Sequence, residues 1–354
     1  MIPAGERELA RRELLLGRDF ALDPFQEAAL ATLDEGKSVL VAAPTGSGKT
    51  LVAEYAVFVA LAQGKRAFYT TPLKALSNQK FGDFRRRLGR DRVGLLTGDN
   101  SINPDAPVVV MTTEVLRNMI YAEPRRLEGV SFVVLDEVHY LEDRYRGAVW
   151  EEVILNAPEH VVLVCLSATV SNAEQLRDWI ASVRGAAGAV IEEKRPVELR
   201  HLFAIGDRGS EKIHLLPTFV DGRPNPAAIA LDERASRPQA RSYRHHGGPR
   251  RTRFYRPRRV EMVDRLDEED LLPAIYFIFS RSGCDEAVRQ CLEGGVRLTD
   301  PEERRLIREI AEDHVEALSD DDLAVLGYAR FVSALEAGIA SHHAGMVPPF
   351  KEAV

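Results

Sequence analysis

Between residues 38 and 200 the chain repeats one pattern: a short apolar run, a polar turn and an amphipathic helical stretch. The apolar runs are hydrophobic along their whole length, which is typical of parallel strands covered by helices on both faces. The regular succession of strand and helix predicts an α/β domain with a doubly wound parallel sheet. The predicted strands are Val39–Ala43, Ala67–Thr70, Val93–Leu96, Val108–Met111, Phe132–Leu135 and Val161–Leu166.

The composition is that of a globular protein. Its 354 residues allow two ordinary domains, and 45% of them are hydrophobic. The net charge of −7 does not by itself indicate a nucleic-acid partner. Three widely spaced cysteines cannot form a disulfide framework or a four-ligand zinc site, which favours a reducing, cytoplasmic environment. The sequence shows no signal-peptide pattern and no apolar run of about eighteen residues, so no membrane association is expected.

Short polar clusters follow all six predicted strands. Ligands of open parallel sheets bind outside the carboxyl ends of the strands, so these clusters predict a single binding edge. The clusters are residues 44–50, Thr71-Pro72-Leu73-Lys74, Thr97-Gly98-Asp99, Thr112-Thr113-Glu114, Asp136-Glu137 and Ser167-Ala168-Thr169.

The first cluster fits the phosphate-binding Walker A pattern, except that Ala43 replaces its first glycine. Gly46 and Gly48 let backbone N–H groups approach a phosphate, and the following helix adds its N-terminal partial positive charge. Lys49 is expected to contact the β- and γ-phosphates, and the Thr50 hydroxyl to ligate magnesium. A plain turn between strand and helix is the alternative, which Lys-Thr at a helix start disfavours. The predicted loop comprises Ala43, Pro44, Thr45, Gly46, Ser47, Gly48, Lys49 and Thr50.

Asp136-Glu137-Val138-His139 follows the fifth predicted strand. Asp136 is expected to hold Mg²⁺, and Glu137 to orient and deprotonate an attacking water. Paired acids can also cap a helix, but the upstream phosphate loop favours catalysis. His139 either links the nucleotide site to Ser167 and Thr169 or is structural, and those two hydroxyls could equally be turn and cap groups.

Two further clusters resemble helix starts, whose free N–H groups bind phosphates well. One begins at Thr71-Pro72 and the other at Thr112-Thr113. With Lys74 and Arg117 nearby, they predict a track for a nucleic-acid backbone.

The second half of the chain is less regular. Residues 205–260 are interpreted as an insertion or linker, and their arginines between 234 and 259 interleave with Tyr243, Phe254 and Tyr255. Such a segment suits single-stranded nucleic acid, although a solvated linker explains it equally well. A further α/β segment is predicted from strands Ala274–Phe279 and Gly338–Ser341 and from helices at 283–292, 301–315 and 319–336. The predicted domains are 1–28, 29–204, 205–260 and 261–354.

Taken together, these motifs resemble the superfamily-two DExH-box helicases of the superkiller and exosome-cofactor group, and within it the actinobacterial type. The resemblance extends over nearly the whole chain. It is carried by the runs Tyr69–Gln79, Met111–Met119, Asp143–Glu152, Phe279–Cys284 and Ser341–Met346.

The resemblance implies a RecA-like lobe, an incomplete second RecA-like lobe and a monomer that uses ATP with Mg²⁺. Phe20 would stack on adenine and Gln26 would read its edge, while Ser167 and Thr169 would couple hydrolysis to strand separation. The implied partner is RNA, single-stranded or duplex with an overhang. The nucleic-acid contacts implied are Pro72, Lys74, Thr112, Thr113 and Arg117, with Ser280, Arg281, His342 and His343 from the second lobe.

The sequence also departs from the family. Complete members continue into a motif that joins RNA to the nucleotide and into Gln-x-x-Gly-Arg-x-Gly-Arg, which supplies an arginine finger; neither occurs here. We therefore expect a fragment that binds ATP weakly and turns it over slowly. A nucleotide-responsive RNA-binding module without turnover and a DNA helicase are the alternatives.

Overall fold

The computed structural model describes residues 1–168, 172–210, 212–236 and 253–354. The chain divides into two compact units, Met1–Leu199 and Arg200–Val354. No helix within the described ranges is long and apolar enough to cross a membrane.

The first unit is built on an eight-stranded sheet with the order β4-β3-β5-β2-β6-β7-β1-β8. All neighbouring strands are parallel except β3 and β4, which are antiparallel. The six predicted strands all belong to this sheet, so the predicted parallel α/β fold is confirmed. The strands are β1 (Ser38–Ala42), β2 (Arg66–Thr71), β3 (Val93–Leu96), β4 (Ser101–Ile102), β5 (Val108–Thr112), β6 (Val130–Leu135), β7 (Val162–Ser167) and β8 (Ala187–Ile191).

Helices cover both faces of the sheet. Successive residues of β1 enter opposite cores: Val39 and Val41 pack with α1 to α4, whereas Leu40 and Ala42 pack with α5 to α7. This burial on both faces explains why the strands are apolar throughout. The helices are α1 (Ala4–Leu15), α2 (Pro24–Asp34), α3 (Thr50–Ala62), α4 (Lys74–Leu88), α5 (Thr113–Ala122), α6 (Gly147–Asn156) and α7 (Ala173–Arg184).

The prediction that a helix starts at Thr71-Pro72 is wrong. Thr71 is the last residue of β2, and α4 begins three residues later, at Lys74. The Thr71 hydroxyl lies 2.7 Å from Ser77 Oγ and donates to the Leu73 carbonyl at 3.0 Å, so it braces the turn instead of capping the helix.

The second unit has a small antiparallel sheet with the order β10-β9-β13, a hairpin of β11 and β12, and several helices. The interval 205–260, for which the sequence predicts an insertion or linker, contains strands and a helix in its described part. The elements are β9 (Leu202–Asp207), β10 (Lys212–Pro217), β11 (Phe219–Val220), β12 (Arg223–Pro224), α8 (Pro226–Ser236), β13 (Phe254–Tyr255), α9 (Arg259–Glu268), α10 (Arg281–Glu293), α11 (Pro301–Val315), α12 (Asp320–Leu326), α13 (Tyr328–Glu336) and α14 (Pro348–Ala353).

Three predictions for this unit are wrong. Neither Ala274–Phe279 nor Gly338–Ser341 is a strand. Within the described part of the unit no strand pairs with either stretch, and an isolated extended segment cannot satisfy its backbone hydrogen bonds. The helix predicted at 319–336 is two helices, because Gly327 adopts a left-handed conformation with a φ of 73° and ends α12.

Candidate active site

Neighbouring parallel strands bring the predicted clusters to one edge of the sheet. The phosphate loop, residues 43–50, follows β1; the adjacent strand β7 ends at Ser167, and β6 next to it leads into Asp136. On the other side of β6, β2 leads into Pro72 and β5 ends at Thr112. The two carboxylates thus lie between the phosphate loop and the two segments assigned to nucleic acid.

Two glycines of the predicted phosphate loop have a left-handed backbone. Gly46 and Gly48 have φ angles of 86° and 84°, a conformation that favours glycine. The Lys49 ammonium donates to the carbonyls of Ala43 at 2.6 Å and Pro44 at 3.0 Å. The Lys49 side chain therefore lies across its own loop. Its ammonium can exchange these two carbonyls for phosphate oxygens.

The electrostatics of Lys49 connect the loop to the carboxylates. Burial lowers the pKa of Lys49, while Glu137 and Asp136 act in the opposite direction. Both carboxylates are therefore close enough to influence the Lys49 ammonium.

Asp136 is held by three contacts around the end of β6. Its Oδ2 accepts a hydrogen bond of 2.7 Å from the Tyr69 hydroxyl, and its Oδ1 accepts one of 3.0 Å from the Glu137 N–H. Its own N–H donates to the Thr70 carbonyl at 3.0 Å. Burial, with the Asp136 charge, raises the pKa of Tyr69 well above its usual range, so this phenol remains a donor. Sequence reasoning missed Tyr69 because it looked like one more apolar strand residue.

Glu137 has a left-handed backbone, with a φ of 55°, and precedes a short 3₁₀ helix, Val138–Glu142. For a residue other than glycine this conformation costs about 1–3 kcal/mol, and such strain is often found at functional sites. The carboxylate Oε2 lies 3.3 Å from Nδ1 of His139. Among the described residues, that nitrogen and the buried Oγ of Ser167 have no partner with good hydrogen-bond geometry.

The two residues implied for adenine have different surroundings. Gln26 is only 2% exposed; its Oε1 accepts from the Asp23 N–H at 2.9 Å and its Nε2 donates to the Gly48 carbonyl at 3.2 Å. Phe20 is 54% exposed, and the Arg18 guanidinium lies 6.0 Å from its ring centroid. The structure thus joins Gln26 to the phosphate loop, whereas the Phe20 ring remains accessible.

The two segments assigned to nucleic acid are in contact. The Thr113 hydroxyl donates to the Thr71 carbonyl at 3.3 Å. Arg146 donates to the Pro72 carbonyl at 2.5 Å and to Glu114 Oε1 through its Nε at 3.2 Å. Sequence reasoning assigned no role to Arg146, because its partners are distant in sequence.

The basic residues of these segments form weak surface pairs. Lys74 lies 2.8 Å from Asp99, and both side chains are more than half exposed. Arg117 donates to Asn118 at 2.9 Å and lies 3.8 Å from Glu152. Exposed pairs of this kind contribute only about 0–1 kcal/mol, so both cations can exchange partners with a phosphate.

The predicted residues of the second unit lie around the start of α10. The Ser280 hydroxyl caps that helix by accepting from the Gly283 N–H at 3.1 Å. His343 accepts from the Gly345 N–H through Nδ1 at 3.1 Å, and its Nε2 lies 3.0 Å from Asp285 Oδ1. Both Arg281 and His342 are exposed.

Part of the predicted site falls outside the described residues, namely Thr169 and the arginine-rich residues 237–252 with Tyr243. The residues that follow this gap, from Arg253 onward, are described, and the first of these pack in the small sheet of the second unit. Phe254 and Tyr255 form β13, and the Arg208 guanidinium lies 4.3 Å from the Tyr255 ring centroid. Their half-buried rings belong to the small sheet, which disfavours base stacking by these two aromatics.

The sequence and the fold of the chain are similar to those of known helicases. Residues 23–176 match the DEAD/DEAH box helicase family. The chain is 52% identical to the probable helicase HelY of Mycobacterium tuberculosis, over 95% of the chain and 38% of that protein. It is 35% identical to the human exosome RNA helicase MTR4, over 95% of the chain and 32% of that protein.

The crystal structure of the DUF1998 helicase MrfA shares the fold, with a TM-score of 0.53 at 20% identity, covering 88% of this chain and 44% of the other. The expected resemblance to superkiller and exosome-cofactor helicases is confirmed by these similarities. The chain spans less than two fifths of the length of the HelY and MTR4 proteins.

Proposed function

We propose that the chain is part of an ATP-dependent RNA helicase, because residues 23–176 match the DEAD/DEAH box helicase family. Its role would be to couple ATP hydrolysis to movement along RNA or to RNA unwinding. The observation that carries the proposal is the order of strand ends, in which Asp136 and Glu137 lie between the phosphate loop and the Pro72 and Thr112 segments.

The residues present suit ATP with Mg²⁺. Lys49 already directs its ammonium at loop carbonyls, and we assign it to the β- and γ-phosphates. Thr50 and Asp136 would hold Mg²⁺, which neutralises phosphate charge when bound. No cluster of three metal-ligating side chains exists among the described residues, which suits an ion that is held mainly by phosphates and water.

We assign the proton-accepting step to Glu137. Its backbone is left-handed, and its carboxylate Oε2 lies 3.3 Å from His139 Nδ1, whereas Asp136 accepts a hydrogen bond from the Tyr69 hydroxyl and is assigned to Mg²⁺. Glu137 is thus the carboxylate free to orient a water and accept its proton. His139 and Ser167, whose buried polar atoms lack good partners among the described residues, are assigned to coupling, as is Thr169.

The nucleic-acid track is assigned to Pro72, Lys74, Thr112, Thr113 and Arg117. RNA is favoured because MTR4 carries the name of an exosome RNA helicase. The free cysteines favour a reducing, cytoplasmic environment. Action as a monomer, and contacts from Ser280, Arg281, His342 and His343, remain predictions.

The substitution Glu137→Gln tests the hydrolytic assignment. It keeps size and polarity but removes the base, so single-turnover ATP hydrolysis should fall by about a hundredfold or more while binding of a fluorescent ATP analogue is kept. The matched control is Glu151→Gln on the exposed face of α6, which should leave both quantities unchanged. No hydrolysis in either form would favour an RNA-binding module without turnover. Equal, measurable hydrolysis in both forms would refute the assignment of the proton-accepting step to Glu137.

Competition between RNA and DNA tests the choice of substrate. A fluorescent single-stranded RNA bound to the chain is titrated with unlabelled RNA or DNA of the same sequence. The RNA competitor should displace the probe at lower concentration, because a track selective for RNA contacts 2′-hydroxyl groups. Displacement by DNA at equal or lower concentration would support the DNA helicase.

A further inference from the structure

A tightly built loop joins the 3₁₀ helix after Glu137 to α6. Within it, the Asp143 carboxylate accepts hydrogen bonds from the N–H groups of Tyr145 at 2.9 Å and Arg146 at 2.8 Å. At Gly147 a Cβ atom would lie 2.2 Å from the Leu141 carbonyl oxygen, which leaves no room for a side chain. These contacts fix the backbone from which the Arg146 side chain leaves.

The Arg146 guanidinium reaches both segments of the proposed nucleic-acid track. It donates to the Pro72 carbonyl at 2.5 Å, in the turn before α4. It also pairs with Glu114 in the first turn of α5, with Nε 3.2 Å from Oε1. One side chain therefore fixes the turn before α4 and the start of α5 to each other.

The central carbon of the same guanidinium lies over two aromatic rings. Its central carbon is 5.7 Å from the ring centroids of both Tyr140 and Trp150, which are themselves stacked. Tyr140 belongs to the 3₁₀ helix and lies 5.4 Å from the His139 ring. Contacts therefore run without interruption from His139 through Tyr140 and Arg146 to the Pro72 carbonyl.

We propose that Arg146 is a positioning residue that links the segment carrying Glu137 and His139 to the nucleic-acid track. This inference rests on the proposed function. Only arginine combines a planar fork for two acceptors with a flat face for stacking, so lysine cannot replace it. Displacement of the 3₁₀ helix by a nucleotide would shift Tyr140 and, through Arg146, the Pro72 carbonyl and Glu114.

The test compares RNA affinity with and without a bound nucleotide. Fluorescence anisotropy gives the Kd for a labelled single-stranded RNA, alone and with a non-hydrolysable ATP analogue and Mg²⁺. For the wild type we expect these two Kd values to differ by about fivefold or more, a usual size for coupling between two sites. In Arg146→Lys the ratio should fall below about twofold, while the affinity for the nucleotide without RNA is unchanged.

Two further variants make the result specific. Arg144→Lys, the same change at an exposed neighbour in the loop, should keep the wild-type ratio. Glu114→Gln removes the charge that Arg146 contacts and should lower the ratio as Arg146→Lys does. A wild-type ratio in Arg146→Lys, or a ratio of one in the wild type, would overturn the inference. Failure of the proposed hydrolytic function would show separately, as equal hydrolysis by wild type and Glu137→Gln.

Discussion

At the residue scale, Gln26 uses both ends of one amide. It is the third residue of α2, where its Oε1 closes a capping box by accepting from the Asp23 N–H. Its Nε2 donates to the carbonyl of Gly48, and a Cβ at Gly48 would lie 2.8 Å from that nitrogen. The Gln26 side chain therefore joins the start of α2 to the phosphate loop, independently of any contact with adenine.

The substitution Gln26→Glu should destabilise the first unit and weaken nucleotide binding. It keeps the acceptor for Asp23 but places a buried carboxylate against the Gly48 carbonyl, so the free energy of unfolding should fall by at least about 2 kcal/mol. Urea denaturation and titration with a fluorescent ATP analogue measure the two effects. Gln175→Glu on the exposed face of α7 is the control and should change neither. Wild-type stability of Gln26→Glu would contradict the described contacts.

At the element scale, the 3₁₀ helix Val138–Glu142 is the element that we propose connects Glu137 to the nucleic-acid track. It begins after the strained Glu137 and carries His139 and Tyr140. It contacts both β7 and α6. A short helix of this kind is held by tertiary contacts, because its own backbone hydrogen bonds are few.

The loop after this 3₁₀ helix should not tolerate a side chain at Gly147. In Gly147→Ala the methyl group would meet the Leu141 carbonyl oxygen, and such overpacking costs about 1–3 kcal/mol in the free energy of unfolding. The same measurement on Gly5→Ala in α1, where an added Cβ would meet no atom within 4 Å, should show no loss or a small gain. Equal free energies of unfolding for Gly147→Ala and Gly5→Ala would contradict the close approach of Gly147 to the Leu141 carbonyl oxygen.

The sequence predicted secondary structure best where a strand is buried on both faces. Val108–Met111 and Phe132–Leu135 were predictable because both their faces are buried, so every position is apolar. Ala274–Phe279 has the same apolar character, but a strand also needs a neighbour, which an apolar run cannot reveal. Tyr69 and Arg146 were missed for a related reason, since their partners are brought close only by the folded sheet.

At the scale of the whole molecule, the two units have cores of different size. The first contains two large apolar clusters, one on each face of its sheet. The second contains a small cluster of Ala311, Val332 and Leu335. Since the free energy of unfolding rises with the apolar area buried, the first unit should unfold at a higher urea concentration than the second.

Cysteine reactivity can follow each unit separately. Cys165 is buried in the first unit, and burial raises its pKa to about 12, so it should not react with a thiol reagent at pH 8 until that unit unfolds. Cys291 is buried in the second unit. In variants that keep one cysteine each, Cys291 should become reactive at lower urea than Cys165. The partly exposed Cys284 should react without urea. Exposure of Cys165 and Cys291 at the same urea concentration would indicate one cooperative unit.

The most direct test of the central claim is phosphate release from ATP with and without single-stranded RNA. Because Glu137 and the proposed nucleic-acid track lie at neighbouring strand ends, RNA should raise the rate in the wild type and have no effect in Glu137→Gln. We expect this RNA-dependent difference even if the absolute rate is slow. A wild-type rate that is unchanged by saturating RNA, and equal to that of Glu137→Gln, would contradict it.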